Sequence, residues 1–215
     1  YENEVTNWDN WTYANTPSGV CHTNGTMWFN GDGTTIYANG GICESGCLAY
    51  NNYIHGDLTG AYALSGASGM LTCQDNCKGG AWFNNILIHP CTGLSPTRSC
   101  AGVIYFNGAG GGNQQVYNNT IVSVAASCLT VDGTTGNALV KNNIFSGCTV
   151  VYNVRPNSPH AATSDYNDGY NTDQSVWYTY NTAQGLSTIS LTNWRLTPYL
   201  EDIHTITSDP LLSGT

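Results

Sequence analysis

Apolar and polar residues alternate over four to six positions, and a Gly or Asn then turns the backbone. The stretch Gly112–Gly147 (GNQQVYNNTIVSVAASCLTVDGTTGNALVKNNIFSG) shows this most fully. A period of two bounded by turn residues predicts short strands. Two strand types alternate. One carries an Asn-Asn pair between apolar or aromatic residues, in Leu48–Ile54, Ala81–Leu87, Gln115–Ile121 and Leu139–Phe145. The other is an apolar run ending in a Gly turn, in Met27–Gly33, Ala61–Gly66, Val103–Gly108 and Leu129–Gly133. No stretch carries a helical period. The second asparagines, Asn52, Asn85, Asn119 and Asn143, are separated by 33, 34 and 24 residues. A fixed motif at such steps marks a repeat architecture, so the chain is expected to coil.

The punctuation divides the chain without splitting it. Pro-containing segments His89–Cys100 and Arg155–His160 read as loops bulging from the coils. After about Asn153 the repeat fades into polar and aromatic sequence. One domain is expected over 1–215: an N-terminal cap or contact segment (1–24), regular coils (25–153), then irregular last coils and a C-terminal cap (154–215). Terminal repeats depart from the consensus because an open strand edge must be covered.

The segments VYNNTIV, LVKNNIFSG, SDYNDGYN and SDPLL (Ser208–Leu212) resemble the right-handed parallel β-helix superfamily, the pectate-lyase-like solenoids. The last two look like the closing segments of secreted bacterial β-helix repeat proteins. The resemblance spans roughly residues 25–212 and implies an all-β solenoid of about six to eight coils. It also implies an asparagine ladder, in which stacked amides hydrogen-bond successive coils. That role falls to one member each of Asn51/Asn52, Asn84/Asn85, Asn118/Asn119 and Asn142/Asn143. An Asn amide suits it because it offers both donor and acceptor to a buried turn.

Composition narrows the function classes. Charged residues make up 9% of the chain, and five Lys and Arg oppose fourteen Asp and Glu, for a net charge of −9. Nucleic acid would be repelled. No apolar run approaches the roughly 18–20 residues that span a bilayer. Tyr1 is read as a mature or trimmed start. Nine cysteines point to an oxidising compartment, hence a secreted, extracellular or cell-surface protein. Cys43/Cys47 and Cys73/Cys77 share one spacing 30 residues apart. Coils stack about 4.8 Å apart, within disulfide reach, so Cys43–Cys73 and Cys47–Cys77 can bridge neighbours. Cys128–Cys148 can do the same, Cys91–Cys100 can close a loop, and Cys21 is left over. A four-cysteine zinc site is the rival reading, although zinc pairs usually have two intervening residues, not three.

Candidate chemistry is sparse. Lyases of the superfamily imply a Lys or Arg base, often with carboxylate-bound calcium, and hydrolases imply paired carboxylates. The basic residues are Lys78, Arg98, Lys141, Arg155 and Arg195, of which Lys141, Arg98 and Lys78 are the candidates, and no cluster on successive coils is visible. Asp165, Asn167, Asp168 and Asp173 form an oxygen-rich group that suits calcium, with turn capping as the alternative. His55 and His89 fall near one repeat position and could share a metal. Asn10, Asn24 and Asn118 begin glycosylation sequons. Fourteen Tyr and six Trp suit sugar contact or adhesion, and Tyr50, Trp82–Phe83 and Tyr117 precede the Asn-Asn pairs. Two functions compete: a non-catalytic structural or adhesive module that self-associates end to end and contacts glycans, and a polysaccharide lyase or hydrolase. No cofactor is required by the first; calcium would serve the second.

Overall fold

The computed structural model describes residues 4–5, 26–29, 48–55, 71–74, 80–89, 102–107, 114–123, 127–132, 138–155 and 162–211. Their strands form three sheets. The first contains β1 (Glu4–Val5), β4 (Tyr53–Ile54), β7 (Ile86–His89), β10 (Thr120–Ser123), β13 (Ile144–Ser146) and β16 (Asp168–Tyr170). The second contains β2 (Thr26–Phe29), β5 (Leu71–Gln74), β8 (Ile104–Asn107), β11 (Ser127–Asp132), β14 (Val150–Val154), β17 (Tyr178–Thr182) and β18 (Gly185–Ile189). The third contains β3 (Leu48–Tyr50), β6 (Ala81–Phe83), β9 (Gln114–Tyr117), β12 (Ala138–Lys141) and β15 (Ala162–Asp165). From β3 to β17 the chain visits the third, first and second sheets in turn. Each circuit lays one strand in each sheet parallel to its predecessor, and among the described residues only the β17–β18 pair is antiparallel.

Period-two alternation produces inward columns. The third sheet points Ala49, Trp82, Val116 and Val140 inward, and the first sheet points Ile54, Leu87, Ile121 and Phe145. In the second sheet Leu71, Ile104, Leu129, Tyr152 and Tyr178 are in register and buried. These columns make one continuous core. At Gly169 the first-sheet column loses its side chain, and the Trp177 ring fills the place; a Cβ there would run into that ring. Cys128 and Cys148 form a disulfide between neighbouring circuits, with Cα atoms 5.6 Å apart. The pairings Cys43–Cys73, Cys47–Cys77 and Cys91–Cys100, and Cys21, involve side chains outside the described residues. No helix among the described residues is long and apolar enough to cross a membrane.

The regular alternation runs beyond the boundary expected at 153. β15 and β16 pair with β12 and β13 at the same 24-residue step that separates Asn143 from Asn167, and β17 follows β14 at a step of 26. The fading of the pattern reflects a change of residue types, not of backbone path. A short helix that the period did not reveal follows, α1 (Leu191–Trp194), with Ser190 as N-cap. It carries Trp194 beneath Tyr178, rings 4.3 Å apart, and Tyr199 stacks on the far side at 5.1 Å. Residues 201–206 then run along the last circuit: Asp202 N donates to Ser164 O, Ile206 N to Asn167 O and Gly169 N to Ile206 O. This segment satisfies the open edges of β15 and β16, as a terminal repeat must.

Candidate functional site

The third and first sheets meet at a two-residue corner. Its first residue takes the left-handed conformation in each circuit: Asn51, Asn84, Asn118, Asn142 and Tyr166 have φ of 55–57°. Asn tolerates this region better than most residues, since its short polar side chain can hydrogen-bond locally and offset the Cβ clash. Its second residue turns inward. Asn52 Nδ2 donates to Asn85 Oδ1 (2.8 Å), Asn85 to Asn119 (2.9 Å), Asn119 to Asn143 (3.0 Å) and Asn143 to Asn167 (3.1 Å). The backbone N–H of each donor residue also reaches the next Oδ1. The other Nδ2 proton of Asn85, Asn119, Asn143 and Asn167 goes to a carbonyl of the preceding circuit, Ala49, Trp82, Val116 and Val140 respectively.

The ladder ends on a carboxylate. Asp202 is fully buried and accepts from Asn167 Nδ2 (3.0 Å), Thr205 Oγ1 (2.6 Å), Ser164 Oγ (2.9 Å) and Trp177 Nε1 (2.9 Å). All four neighbours are donors, so an acceptor-only group fits where another amide would leave protons unmatched. Tyr152 closes the same network. Its hydroxyl accepts from Asn167 Nδ2 (3.2 Å), and burial, then the Asp202 charge, raises its pKa well above the ordinary tyrosine value.

The outer surface of this corner is a stripe along the stack. Asn51, Asn84, Asn118 and Asn142 are exposed in a row. On the third-sheet side Tyr50, Phe83 and Tyr117 stack face to face, 4.9 Å apart at each step, and Lys141 and Asp165 continue the column. Trp82, by alternation, is in the core. On the first-sheet side Tyr53, Ile86, Thr120, Ile144 and Asp168 are aligned, and Ile206 follows. The stacked rings occupy one another's faces, so they brace the sheet and offer their edges outward. At the capped end Tyr166 replaces the corner asparagine. It stacks on the His204 ring, centroids 4.6 Å apart and nearly parallel.

The sequence-derived candidates separate accordingly. Lys141 is half-buried on the outer face of β12, between Tyr117 and Asp165, as a strand position. Lys78, Arg98, Asn10 and Asn24 lie outside the described residues; Asn118 is at the exposed corner. The four oxygen ligands are not gathered. Asn167 is the fifth rung of the ladder. Asp165 pairs with His204, Oδ2 to Nδ1 at 2.8 Å, and also accepts the His204 and Tyr166 backbone N–H groups. Burial alone would raise the Asp165 carboxyl, but these bonds and the His204 charge outweigh it and hold its pKa below the ordinary value. Asp173 caps a single turn, Gln174–Val176, by accepting from Ser175. Among the described residues no three His, Cys, Asp or Glu side chains converge as a metal would require. The two histidines do not share a level either. Ile54 pairs with Leu87, so His55 is level with Ile88, and it binds Glu4 (2.9 Å).

Two site features escaped the sequence reading. Asn167 was visible as a further 24-residue step after Asn143, but its frame is Tyr-Asn, not Asn-Asn. Asp202 had no spacing signal. The outward chemistry of the corner is a row of uncharged amides flanked by apolar and aromatic edges, able to meet a ligand that both donates and accepts. Neither a family model nor a curated protein nor a solved structure matches this chain, so the reading of this surface rests on its geometry alone.

Proposed function

We propose that the chain is a right-handed parallel β-helix of the pectate-lyase-like kind, secreted, and that it acts as a non-catalytic structural or adhesive module whose corner stripe contacts glycans. The three-sheet parallel order, the inward columns and the asparagine ladder support the solenoid. A buried disulfide between circuits supports an oxidising compartment. The observation that carries the glycan contact is the exposed row Asn51, Asn84, Asn118 and Asn142, an array of donors and acceptors at about the 4.8 Å inter-strand spacing. Hydroxyl-rich polymers present matching groups, and a net charge of −9 favours neutral over acidic ones.

Retention on insoluble neutral polysaccharides tests this. The double variant Asn84→Gly/Asn118→Gly removes two amides at positions where glycine holds the same φ without strain. It is expected to fold and to lose retention. Equal retention of the variant and the parent, or no retention of either, overturns the glycan contact.

Self-association rests on a separate observation. The segment covering the last circuit exposes Leu196, Leu200, Ile203 and Leu211, each more than half accessible. Apolar side chains concentrated on one segment favour contact between copies. Sedimentation velocity is expected to show concentration-dependent oligomers that Leu196→Glu/Ile203→Glu disperses; a strict monomer at every concentration refutes it.

A further inference from the structure

At the capped end of the stripe, an open groove is lined by Asn142, Ile144, Tyr166, Asp168, His204 and Ile206. This is the circuit where the repeat changes its outer residues. The corner column reads Asn, Asn, Asn, Asn and then Tyr166; the neighbouring column reads Tyr53, Ile86, Thr120, Ile144 and then Asp168. Both replacements oppose the local rules of the fold. Tyr166 has φ of 57°, a region a tyrosine rarely adopts and one its four predecessors fill with asparagine. Asp168 follows four uncharged members of its column, whose far end is Glu4 bound to His55, and its Oδ1 is shielded from solvent with no hydrogen-bond partner. Water does not reach this oxygen, so a ligand in the groove meets the carboxyl at Oδ2. Backbone strain kept where a better residue is available points toward function.

The other groups in the groove are held in place. Asp165 grips both the backbone N–H and the Nδ1 of His204, which fixes the imidazole parallel to the Tyr166 ring. The His204 side chain is 55% accessible, so Nε2 is open to a ligand. Ile144 and Ile206 add apolar edges. An incoming group must therefore donate to Asp168, exchange a hydrogen bond with His204 or Asn142, and rest an apolar face on the isoleucines. A sugar ring does all three. An anionic sugar would meet the charges of Asp168 and of Asp209, which acts on it.

We propose that this groove is a subsite for one uncharged sugar residue of a glycan, with Asp168 as acceptor for a ring hydroxyl and Tyr166 and His204 as the positioning wall. It deepens the glycan reading above and rests on it. Burial raises the Asp168 pKa, as does Asp209.

The test uses cellohexaose, xylohexaose, mannohexaose and hexagalacturonate with the whole chain, read by backbone amide shifts and by calorimetry. At least one neutral hexamer is expected to move the amides of Tyr166, Asp168, His204 and Ile206, and hexagalacturonate is expected to move none. Tyr166→Asn restores the repeat residue, and Asp168→Asn removes the shielded charge. Each is expected to weaken binding at least fivefold while leaving the melting temperature equal or higher, a combination a purely structural residue would not give. Unchanged affinity in both variants while Asn84→Gly/Asn118→Gly still abolishes polysaccharide retention overturns the subsite and leaves the stripe standing. No binding of any saccharide to the parent chain overturns both, and preference for hexagalacturonate overturns the assignment of an uncharged sugar.

Discussion

Adjacent asparagines at four of the five corners have opposite duties, and truncating them should separate the two. Asn143 is 1% exposed. Its Oδ1 accepts from Asn119 N and Asn119 Nδ2, both at 3.0 Å, and its Nδ2 serves Val116 O, Lys141 O and Asn167 Oδ1. Asn143→Ala strips the Asn119 backbone N–H and the Val116 carbonyl of these partners in a buried setting. Each such group costs about 1–3 kcal/mol. Asn167 Oδ1 keeps its bond from Asn143 N, so that acceptor loses less. Water entering the vacated space offsets part of the cost, which leaves about 3–4 kcal/mol. Asn142, next to it, is exposed with φ of 56°. Asn142→Ala should cost about 1 kcal/mol, from the left-handed conformation alone, and Asn142→Gly should be within about 0.5 kcal/mol of the parent. Urea unfolding followed by circular dichroism and tryptophan fluorescence gives all three values, provided the m-values agree. Equal costs at 142 and 143, or a loss below about 1 kcal/mol for Asn143→Ala, would refute the assignment of the second asparagine to the ladder.

Three further perturbations follow from the same geometry. Cys128→Ala/Cys148→Ala opens a 20-residue separation and should lower stability by about 3 kcal/mol through the unfolded chain; a midpoint insensitive to reductant would contradict it. Gly169→Ala drives a Cβ into the buried Trp177 ring and should cost about 2 kcal/mol with a shifted tryptophan emission, whereas Gly185→Ala, where nothing lies near, should leave that emission unchanged. Asp165 and Asp168 should act oppositely with pH. The depressed Asp165 pKa contributes stability that is full above the ordinary value of 3.8 and is lost as pH falls through the folded value. Asp168, raised by burial and Asp209, binds its proton more tightly when folded, so its share of stability grows as pH falls from the raised value to 3.8. Asp168→Asn should therefore stabilise the chain at neutral pH by a margin that shrinks on acidification; a constant margin would contradict this.

The parts of the fold that the sequence made legible are those where one residue type meets one physical demand. Asn-Asn recurs because the first position needs a left-handed backbone and the second needs a donor and an acceptor, and asparagine answers both. At Tyr166-Asn167 both demands remain but a tyrosine takes the first position, so the paired motif vanished although the rung remained. In SDYNDGYNTD the turn cap at Asp173 is local and legible, whereas the ladder duty of Asn167 and the histidine clamp of Asp165 depend on facing segments. Alternation along β6 puts Trp82 in the core and Phe83 on the outer face, but no local pattern could show that the Trp177 ring fills the gap at Gly169. That exchange depends on the register of β13 and β16. Asp202 is 35 residues from Asn167 and was invisible because the closing segment follows no repeat. The groove became visible only when columns could be compared across circuits, where Tyr166 and Asp168 stand out against their predecessors.

The account depends above all on amides 24–34 residues apart lying directly over one another. Nuclear Overhauser spectra of chain labelled at asparagine measure this through the side-chain NH2 protons. A continuous series of cross-peaks from Asn52 through Asn85, Asn119 and Asn143 to Asn167 is predicted, with slow exchange for the three middle rungs. Side-chain amides that show contacts only within their own turns, and that exchange at the rate of exposed asparagine, would contradict it.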